Sequence, residues 1–350
     1  MDAAMELSVH RGPDFDLLYR MQSAMWESWL VEVDGQIEGM GTVLVRDGYI
    51  DGERRRVGYL GDLRFSPRVQ GRLLLDRVYG PILQAASERF QCDLFLTAII
   101  ASNERALRAL TVRTERSRRS GRPVYTPLMD FDIRSLHLLA VPRSKQKTRG
   151  LRVRRASRDD VPRLVRLLDD DARRRPFGYP MSQEELHRRL ASWPGLDLES
   201  FFVAEDGAGE LVGTVALWDA APVKRMVVRA YHGSMRRLRV AYDLGAALLR
   251  RPRLPALGAP FRYAYVTHQA LRDDDPAALG ALLTKAATEI RKSGYHFMSL
   301  CAPKDGAFDA ATRGFFTTNL AARLFVVTLP GRHIDPLWFR GRPGFEMALV

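Results

Sequence analysis

Cysteine is scarce in this chain. Cys92 and Cys301 are the only two among 350 residues, and they lie more than two hundred positions apart. This spacing is no disulfide framework, and two cysteines are too few for a cysteine-based metal site. The seven histidines show no metal-binding spacing either. We therefore expect a cytoplasmic protein without a metal cofactor.

Long apolar runs are also lacking. The longest nearly unbroken one, residues 94–101, is far shorter than the roughly 20 residues that a membrane-spanning helix needs. Residues 1–9 have neither the basic start nor the apolar stretch of an export signal. These two absences predict that the protein has no membrane partner.

Lysine is the third scarcity. The 54 basic residues include only six lysines, so 48 are arginines, and the formal net charge is +13. A basic balance of this kind can mark a nucleic-acid binder. However, GC-rich coding produces the same skew toward arginine, and basic residues interleaved with stacking aromatics are not evident. We therefore do not expect nucleic acid as a partner.

What is present is enough apolar material for two domains. At 350 residues, with 46% hydrophobic and 27% charged residues, the chain exceeds one ordinary core. The apolar pattern breaks at residues 141–150, where Pro, Gly, Ser and four basic side chains gather. We predict a domain over residues 1–140, a basic linker over 141–150, a second domain over 151–330 and a tail over 331–350.

The two halves repeat one order of elements. The strand, helix, strand and helix predicted in the first half lie at residues 56–65, 71–90, 93–100 and 103–112, and those in the second at 263–271, 276–292, 295–302 and 308–319. Setting Asp62 against His268, an offset of 206 positions, brings the two series into register. An internal duplication is the economical explanation. The alternation indicates an α/β fold.

The turn after the first repeated strand carries a distinctive motif. The pattern Q/R-x-x-G-x-G/A, between a strand and a helix, is matched except in its last place by Arg68, Val69, Gln70, Gly71, Arg72 and Leu73. Unpaired backbone N–H groups and the helix dipole favour phosphate at a helix start, and glycine lets the backbone approach it closely. This segment resembles motif A of the GNAT superfamily of N-acyltransferases.

The resemblance continues downstream. Asn103 and Ala106 stand where that family has N-x-x-A after a strand. It implies two GNAT-like domains, each with a mixed, mostly antiparallel sheet flanked by helices, as in bacterial tandem-GNAT proteins. In the family, the pantetheine arm of acetyl-CoA lies between the two strands that precede these motifs. The cofactor-binding residues that the resemblance implies are Leu63, Arg64, Phe65, residues 68–73 and Asn103.

The implied reaction is direct transfer of an acetyl group from acetyl-CoA to a primary amine of a small molecule or peptide. The backbone N–H of Phe65, or of a neighbour on its strand, would polarise the thioester carbonyl. Asp62 is the first candidate for general base, and a structural salt bridge, for example with Arg64, is its alternative. His268 is either catalytic or a satisfied core histidine. The resemblance also implies a closing hairpin formed by residues 122–133, and Tyr125 is a candidate acid from it.

Departures from the family pattern favour a rival interpretation. Leu73 replaces a small residue, and the tyrosine that often follows N-x-x-A is absent. In the second half, Asp273 to Asp275 stand where a phosphate cradle would need positive charge, and they also fit a cap for a helix beginning at Pro276. We therefore expect a degenerate second copy. The alternative function is a catalytically silent CoA-binding sensor or scaffold, and a homodimer is left open.

Two segments have no place in the repeat. We expect the first strand and helix of a full domain to be reduced, or replaced by residues 5–26. Residues 224–260, rich in Arg, Leu and Pro, form an extra element that we expect to cover the substrate cleft. In addition, Gly80 and Pro81 predict a kink in the helix that follows the motif.

Overall fold

A computed structural model describes residues 5–69, 74–142, 150–304, 306–332 and 334–350. These residues form thirteen strands and nine α-helices. The strands are β1 (Met5–Arg11), β2 (Met25–Val33), β3 (Gln36–Ile50), β4 (Glu53–Phe65), β5 (Phe95–Ile100), β6 (Val124–His137), β7 (Arg152–Arg155), β8 (Phe201–Glu205), β9 (Leu211–Trp218), β10 (Lys224–Tyr231), β11 (Tyr263–Leu271), β12 (Phe297–Pro303) and β13 (Thr317–Thr328). The helices are α1 (Leu17–Arg20), α2 (Leu74–Phe90), α3 (Glu104–Thr111), α4 (Glu115–Arg119), α5 (Val161–Arg173), α6 (Gln183–Ser192), α7 (Met235–Leu248), α8 (Pro276–Ile290) and α9 (Ala307–Ala311).

One eleven-stranded sheet runs through both halves. Its strand order is β2-β3-β4-β5-β13-β6-β12-β11-β9-β8-β7. The β4–β5 and β11–β12 pairs are parallel, and the other neighbouring pairs are antiparallel. The predicted α/β class with a mixed, mostly antiparallel sheet is therefore confirmed. The domain boundaries stay a prediction, and residues 143–149 of the predicted linker lie outside the described residues.

Strand β13 crosses from the second half of the chain into the first. It lies between β5 and β6, so that Ala322 is opposite Ile100 on one side and Phe131 on the other. Strand β6 is a single long strand that also pairs with β12. The closing hairpin predicted around residues 122–133 is therefore wrong. The cause is that the strand beside β5 comes from a distant part of the chain, which local turn patterns do not encode.

A second correction concerns the end of the repeat. The helix predicted over residues 308–319 is too long, because α9 ends at Ala311 and β13 already begins at Thr317. Pairing along β6 holds these residues extended, and this tertiary contact overrides the local helical pattern.

Helices α2 and α3 cover one face of the first half. Leu83 of α2 and Phe95 of β5 are both fully buried in the core that these elements share. Helix α2 continues through Pro81. Gly80 permits a close approach just before it, since a Cβ at this position would lie 2.7 Å from the carbonyl oxygen of Gly121.

The opposite face of the first half packs against the C-terminal segment. The ring of Phe345 lies 6.3 Å from that of Tyr59 and 5.4 Å from that of Phe131, measured between centroids. Two and four residues farther on, Met347 and Leu349 are buried in the core of the second half. The segment therefore connects the two halves.

The same backbone irregularity recurs in β4 and β11. Asp62 has a φ of 52° and His268 a φ of 47°, both left-handed conformations inside a strand. Such values are uncommon for residues other than glycine. Beside each residue, the pairing with the antiparallel neighbour shifts its register, as in a β-bulge. These are the two residues that the offset of 206 positions aligns, so the same backbone feature occurs at equivalent positions of the two halves.

The two segments that lie outside the repeat pair with each other. Strands β1 and β10 form a separate antiparallel ribbon, in which Arg11 lies opposite Lys224. Lys224 is buried. Its partner Arg11 forms an ion pair with the carboxylate of Asp62 at 2.7 Å. One end of the ribbon therefore lies against the bulge of β4.

We predict that Gly58→Ala destabilises the fold. A Cβ at Gly58 would lie 2.1 Å from the ring of Phe95, where β4 and β5 pair. Overpacking a tight core costs about 1–3 kcal/mol in the free energy of unfolding, which urea denaturation measures. Gly207→Ala is the matched control, because no atom lies within 4 Å of its added Cβ. Equal unfolding free energies for the two variants would contradict the prediction.

Candidate active site

A cleft of about 750 Å³ opens between β4 and β5. The two strands pair only at Gly58–Phe95 and Tyr59–Leu96, and beyond these pairs they diverge. The cleft is lined by Tyr59 to Phe65 of β4, Thr97 to Ile100 of β5, and Asn103, Arg105, Ala106, Ala109 and Leu110 at α3. Divergence leaves room between the strands for an extended ligand that pairs with their backbone.

Asn103 holds the first turn of α3 at the edge of this cleft. Its side-chain oxygen accepts a hydrogen bond from the N–H of Ala106 at 3.1 Å, as a helix N-cap does. The N-x-x-A spacing therefore has a structural reason, since the bond joins its first and last residues. Asn103 also lines the cleft, and its role in cofactor binding stays a prediction.

The phosphate motif is only partly described. Gln70, Gly71, Arg72 and Leu73 lie outside the described residues. Arg68 forms an ion pair with Glu38 at 3.1 Å, and its side chain is half exposed. Val69 is buried and lines the cleft.

Asp62 sits at the bulge of β4, on the wall of the cleft. Its carboxylate binds Arg11 at 2.7 Å and Arg64 at 3.3 Å, and it accepts a hydrogen bond from the hydroxyl of Tyr19. The salt bridge with Arg64 that the sequence offered as an alternative is present. Asp62 therefore lines the cleft and is also ion-paired with neighbouring arginines.

Leu63, Arg64 and Phe65 follow the bulge and line the same wall. Leu63 is 40% exposed, which is unusual for a leucine in a strand of a central sheet. Arg64 lies opposite Met40 and Phe65 opposite Gly39 in the ladder with β3. The structure thus brings all three predicted residues to the cleft.

Lys224 is a residue of this region that sequence reasoning did not single out. It is buried at the start of β10, where its Nζ donates to the carbonyl of Val350 at 2.7 Å and lies 4.7 Å from the centre of the Tyr265 ring. Burial, together with the charge of Arg11 and against the opposing charge of Asp62, lowers the pKa of Lys224 to about 7. The sequence does contain one feature that could have drawn attention to Lys224, because lysine is rare in this chain and the segment around it is otherwise rich in arginine.

Tyr125 lies behind the cleft and not along it. Its hydroxyl hydrogen-bonds to that of Tyr79 on α2, and its ring packs edge-on against Phe325. Burial raises the pKa of Tyr125 well above its ordinary value. The residue lines a separate apolar cavity under α2. Its role as an acid stays a prediction.

The corresponding cleft in the second half is partly filled by the chain itself, which leaves a cavity of about 100 Å³. Strands β11 and β12 pair over residues 263–265 and 297–299 and then diverge, and Arg342 to Met347 line the space between them. Glu346 accepts a hydrogen bond from the N–H of His268 at 3.2 Å, and burial raises the pKa of Glu346 to about 7.

The acidic loop of the second half binds its own chain as well. Asp275 caps α8 by accepting a hydrogen bond from the N–H of Ala277 at 2.8 Å, as predicted. Asp274 forms ion pairs with Arg175 and, at 3.1 Å, with Arg342. The place of a phosphate cradle is therefore taken by carboxylates that bind arginines.

His268 is enclosed in the second half. One ring nitrogen lies 2.9 Å from the hydroxyl of Thr267, and the other lies 3.0 Å from the guanidinium of Arg189. The rings of Trp193 and Phe201 pack beside it at 5.4 and 5.2 Å. Burial and the charge of Arg189 lower the pKa of His268 well below its ordinary value. These contacts match the core histidine that the sequence offered as an alternative.

Two further observations concern metal sites and membrane-spanning helices. Within the described part of the chain, no cluster of three or more His, Cys, Asp or Glu residues is arranged to hold a metal ion. In the same residues, no helix combines the length and apolar character needed to cross a bilayer.

Comparison of the chain with known proteins identifies its fold. No protein-family model and no curated protein matches its sequence. A GCN5-related N-acetyltransferase from Sphaerobacter thermophilus matches its structure with a TM-score of 0.55 at 16% identity, over 88% of this chain and 82% of that one. The chain has a GNAT fold. The resemblance that residues 68–73 and 103–106 indicated is thus confirmed at the level of the fold.

Two other solved structures with this fold cover most of the chain. N-myristoyltransferase from Saccharomyces cerevisiae, with bound myristoyl-CoA, has a TM-score of 0.56 at 12% identity, over 99% of this chain and 78% of that one. The GCN5-related glucosamine N-acetyltransferase region of a fungal multi-domain GH3 β-N-acetylglucosaminidase has a TM-score of 0.58 at 11% identity, over 93% of this chain and 38% of that one. The GNAT fold of this chain therefore extends across both halves.

We predict that Lys224→Met stabilises the protein more at pH 6 than at pH 10. With its pKa lowered to about 7, Lys224 binds a proton less tightly in the folded protein than in the unfolded chain. This difference lowers the free energy of unfolding by its full amount below pH 7. The loss shrinks as the pH rises toward the ordinary lysine pKa of about 10.4, and it vanishes above that value.

Thermal melts of both proteins between pH 6 and pH 10 test this. The Tm difference should be largest at pH 6 and close toward pH 10. Lys285→Met, at an exposed lysine paired with Glu289, is the control and should show no such trend. A Tm difference for Lys224→Met that stays constant with pH would refute the shifted pKa.

Proposed function

We propose that the chain is an N-acyltransferase. It moves an acyl group, acetyl in the simplest case, from acyl-CoA to a primary amine of a small molecule or peptide. The observation that carries this proposal is the open cleft between β4 and β5, which begins where the two strands stop pairing and ends at the motif that resembles a phosphate-binding loop. The GNAT fold supports it.

The pantetheine arm, the diphosphate and the thioester of acyl-CoA would each have a place along the cleft. The pantetheine amides would pair with the diverging edges of β4 and β5, as an added strand does. The diphosphate would then lie beyond Phe65, near the start of α2, where unpaired N–H groups and the helix dipole favour anions. In this orientation the thioester lies deepest, beside Gly61 and Asp62, close to the point where the strands converge.

The chemical step needs few groups. A neutral amine nitrogen attacks the thioester carbon, a C–N bond forms and the C–S bond breaks, so that the amine loses one proton and the thiolate gains one. Asp62, at the bulge, would accept the amine proton directly or through water. Backbone N–H groups of β4 near Phe65 would stabilise the oxyanion.

The second half would bind no CoA. Its cleft contains Arg342 to Met347, its bulge N–H is bonded to Glu346, and its loop carboxylates repel phosphate. We infer that it serves as a degenerate copy that supports the first half, with one acyl-CoA site for each chain.

One observation favours the rival function of a silent CoA-binding sensor. Asp62 is already paired with Arg11 and Arg64, so its carboxylate has partners without any substrate. Release of free thiol in the presence of a panel of amines, amino acids, aminoglycosides and peptides separates the two. Saturable binding without thiol release for every amine would favour the sensor.

We predict that acetyl-CoA binds with a stoichiometry near one per chain and that Ala109→Trp weakens this binding at least tenfold. Ala109 lines the cleft, and an indole there would fill space that the pantetheine arm needs. Isothermal titration measures both quantities. Val112→Trp is the control, because Val112 follows the same helix but is exposed outside the cleft. No binding at 1 mM, or equal binding by the two variants, would sink the assignment.

We predict that Asp62→Asn lowers kcat about 100-fold or more, the usual contribution of a general base, and leaves acetyl-CoA affinity within about twofold. The amide keeps the shape of the carboxylate but accepts no proton. Asp93→Asn, an exposed carboxylate near the start of β5, is the control. Full turnover by Asp62→Asn would show that Asp62 serves only as an ion-pair partner.

A further inference from the structure

A second cavity lies in the first half, under α2 and against β2, β3 and β4. It has a volume of about 70 Å³. Its wall is apolar, and the side chains that line this cavity but not the cleft include Val31, Met40, Val78, Ile82 and Tyr125.

The polar groups of this wall are bonded to other parts of the protein. The hydroxyls of Tyr79 and Tyr125 bond to each other, and the hydroxyl of Thr97 donates to the carbonyl of Leu60 at 2.8 Å. The hydroxyl of Thr42 lies 2.8 Å from that of Ser28. A water in such a space finds few of the two to four partners it needs, so the cavity favours apolar occupants.

The cavity and the cleft share a wall. Leu60, Gly61, Leu63, Phe65, Leu75, Thr97 and Leu110 line both. Gly61 stands directly before the bulge at Asp62 and lines both spaces. Gly41 of β3, next to the partner Thr42 of Gly61, also lines the cavity, and a Cβ there would be in ordinary contact with Leu63 at 3.6 Å.

The shared wall lies at the acyl end of the proposed ligand. An acyl-CoA that enters from the loop after Phe65 reaches its thioester near Gly61, because β4 and β5 converge at Tyr59. Anything attached to the thioester carbon beyond a methyl group must leave the cleft there. The apolar cavity is the space that adjoins this point.

We propose that this cavity receives the acyl chain of the donor, so that the enzyme uses short-chain acyl-CoA of about four to six carbons in preference to acetyl-CoA. The inference rests on the proposed function. A volume of 70 Å³ corresponds to about five water-sized spheres, which is room for a few methylene groups. Each methylene that leaves water would raise the affinity about fourfold.

Isothermal titration with CoA, acetyl-CoA, butyryl-CoA, hexanoyl-CoA and decanoyl-CoA tests the proposal. We expect butyryl-CoA, with two more methylenes, to bind about 15-fold more tightly than acetyl-CoA, and the gain to end at about six carbons, where the cavity is full. Val78→Phe places a ring in the cavity and not in the cleft. It should abolish the gain for butyryl-CoA and hexanoyl-CoA and leave the affinity for acetyl-CoA within about twofold.

A second variant keeps the test informative if Val78→Phe does not fold. Ile82→Ala enlarges the cavity and should move the preferred chain length upward by about two carbons. Val112→Phe, exposed at the end of α3, is the matched control and should keep the wild-type profile. Either a length profile unchanged by both cavity variants or equal affinity for all chain lengths would overturn the inference.

The outcomes separate this inference from the proposed function. Tight binding of acetyl-CoA without a gain for longer chains would refute the acyl cavity and leave the acyltransferase proposal intact. Failure of CoA and all four thioesters to bind would refute both.

Discussion

The short parallel pairing of β4 and β5 is the constraint on which the rest of the structure depends. Only two residue pairs join the strands, at Gly58 and Tyr59, and the bulge at Asp62 then turns β4 away. Two adjacent strands that stop pairing expose backbone groups, which cost free energy unless a ligand or water binds them. The cleft, its polar edges and the position of Asp62 all follow from this local divergence.

The first half does not complete this arrangement by itself. Strand β5 has β4 on one side and β13 on the other, and β13 comes from the end of the second half. The β5 wall of the cleft is therefore held by residues more than two hundred positions away, such as Ala322 opposite Ile100. The ribbon of β1 and β10 adds a second long-range support, through the ion pair of Arg11 with Asp62. The site is a property of the whole chain.

The two halves share one backbone geometry but differ in the residues that lie in the opening between the strands. Both contain a parallel pair that diverges after a left-handed residue, Asp62 in one and His268 in the other. In the first half the divergence leaves an open cleft beside an apolar cavity. In the second, Glu346 and its neighbours narrow it to a smaller cavity, and Asp274 binds Arg342. The fold alone therefore does not decide whether a ligand site exists, and the residues placed in the opening do.

Local pattern determined a large part of this protein in advance. Period-two and period-3.6 apolar spacing located most strands and helices, the N-x-x-A spacing marked the cap of α3, and the offset of 206 positions paired Asp62 with His268. These features depend on residues close in sequence or on repetition, which a single sequence contains. Tertiary structure alone decided the insertion of β13 beside β5, the burial of Lys224 next to Arg11 and Asp62, the tail in the second cleft and the apolar cavity under α2. Each of these depends on contacts between distant segments, whose free energy comes from burial and strand pairing that no local pattern records.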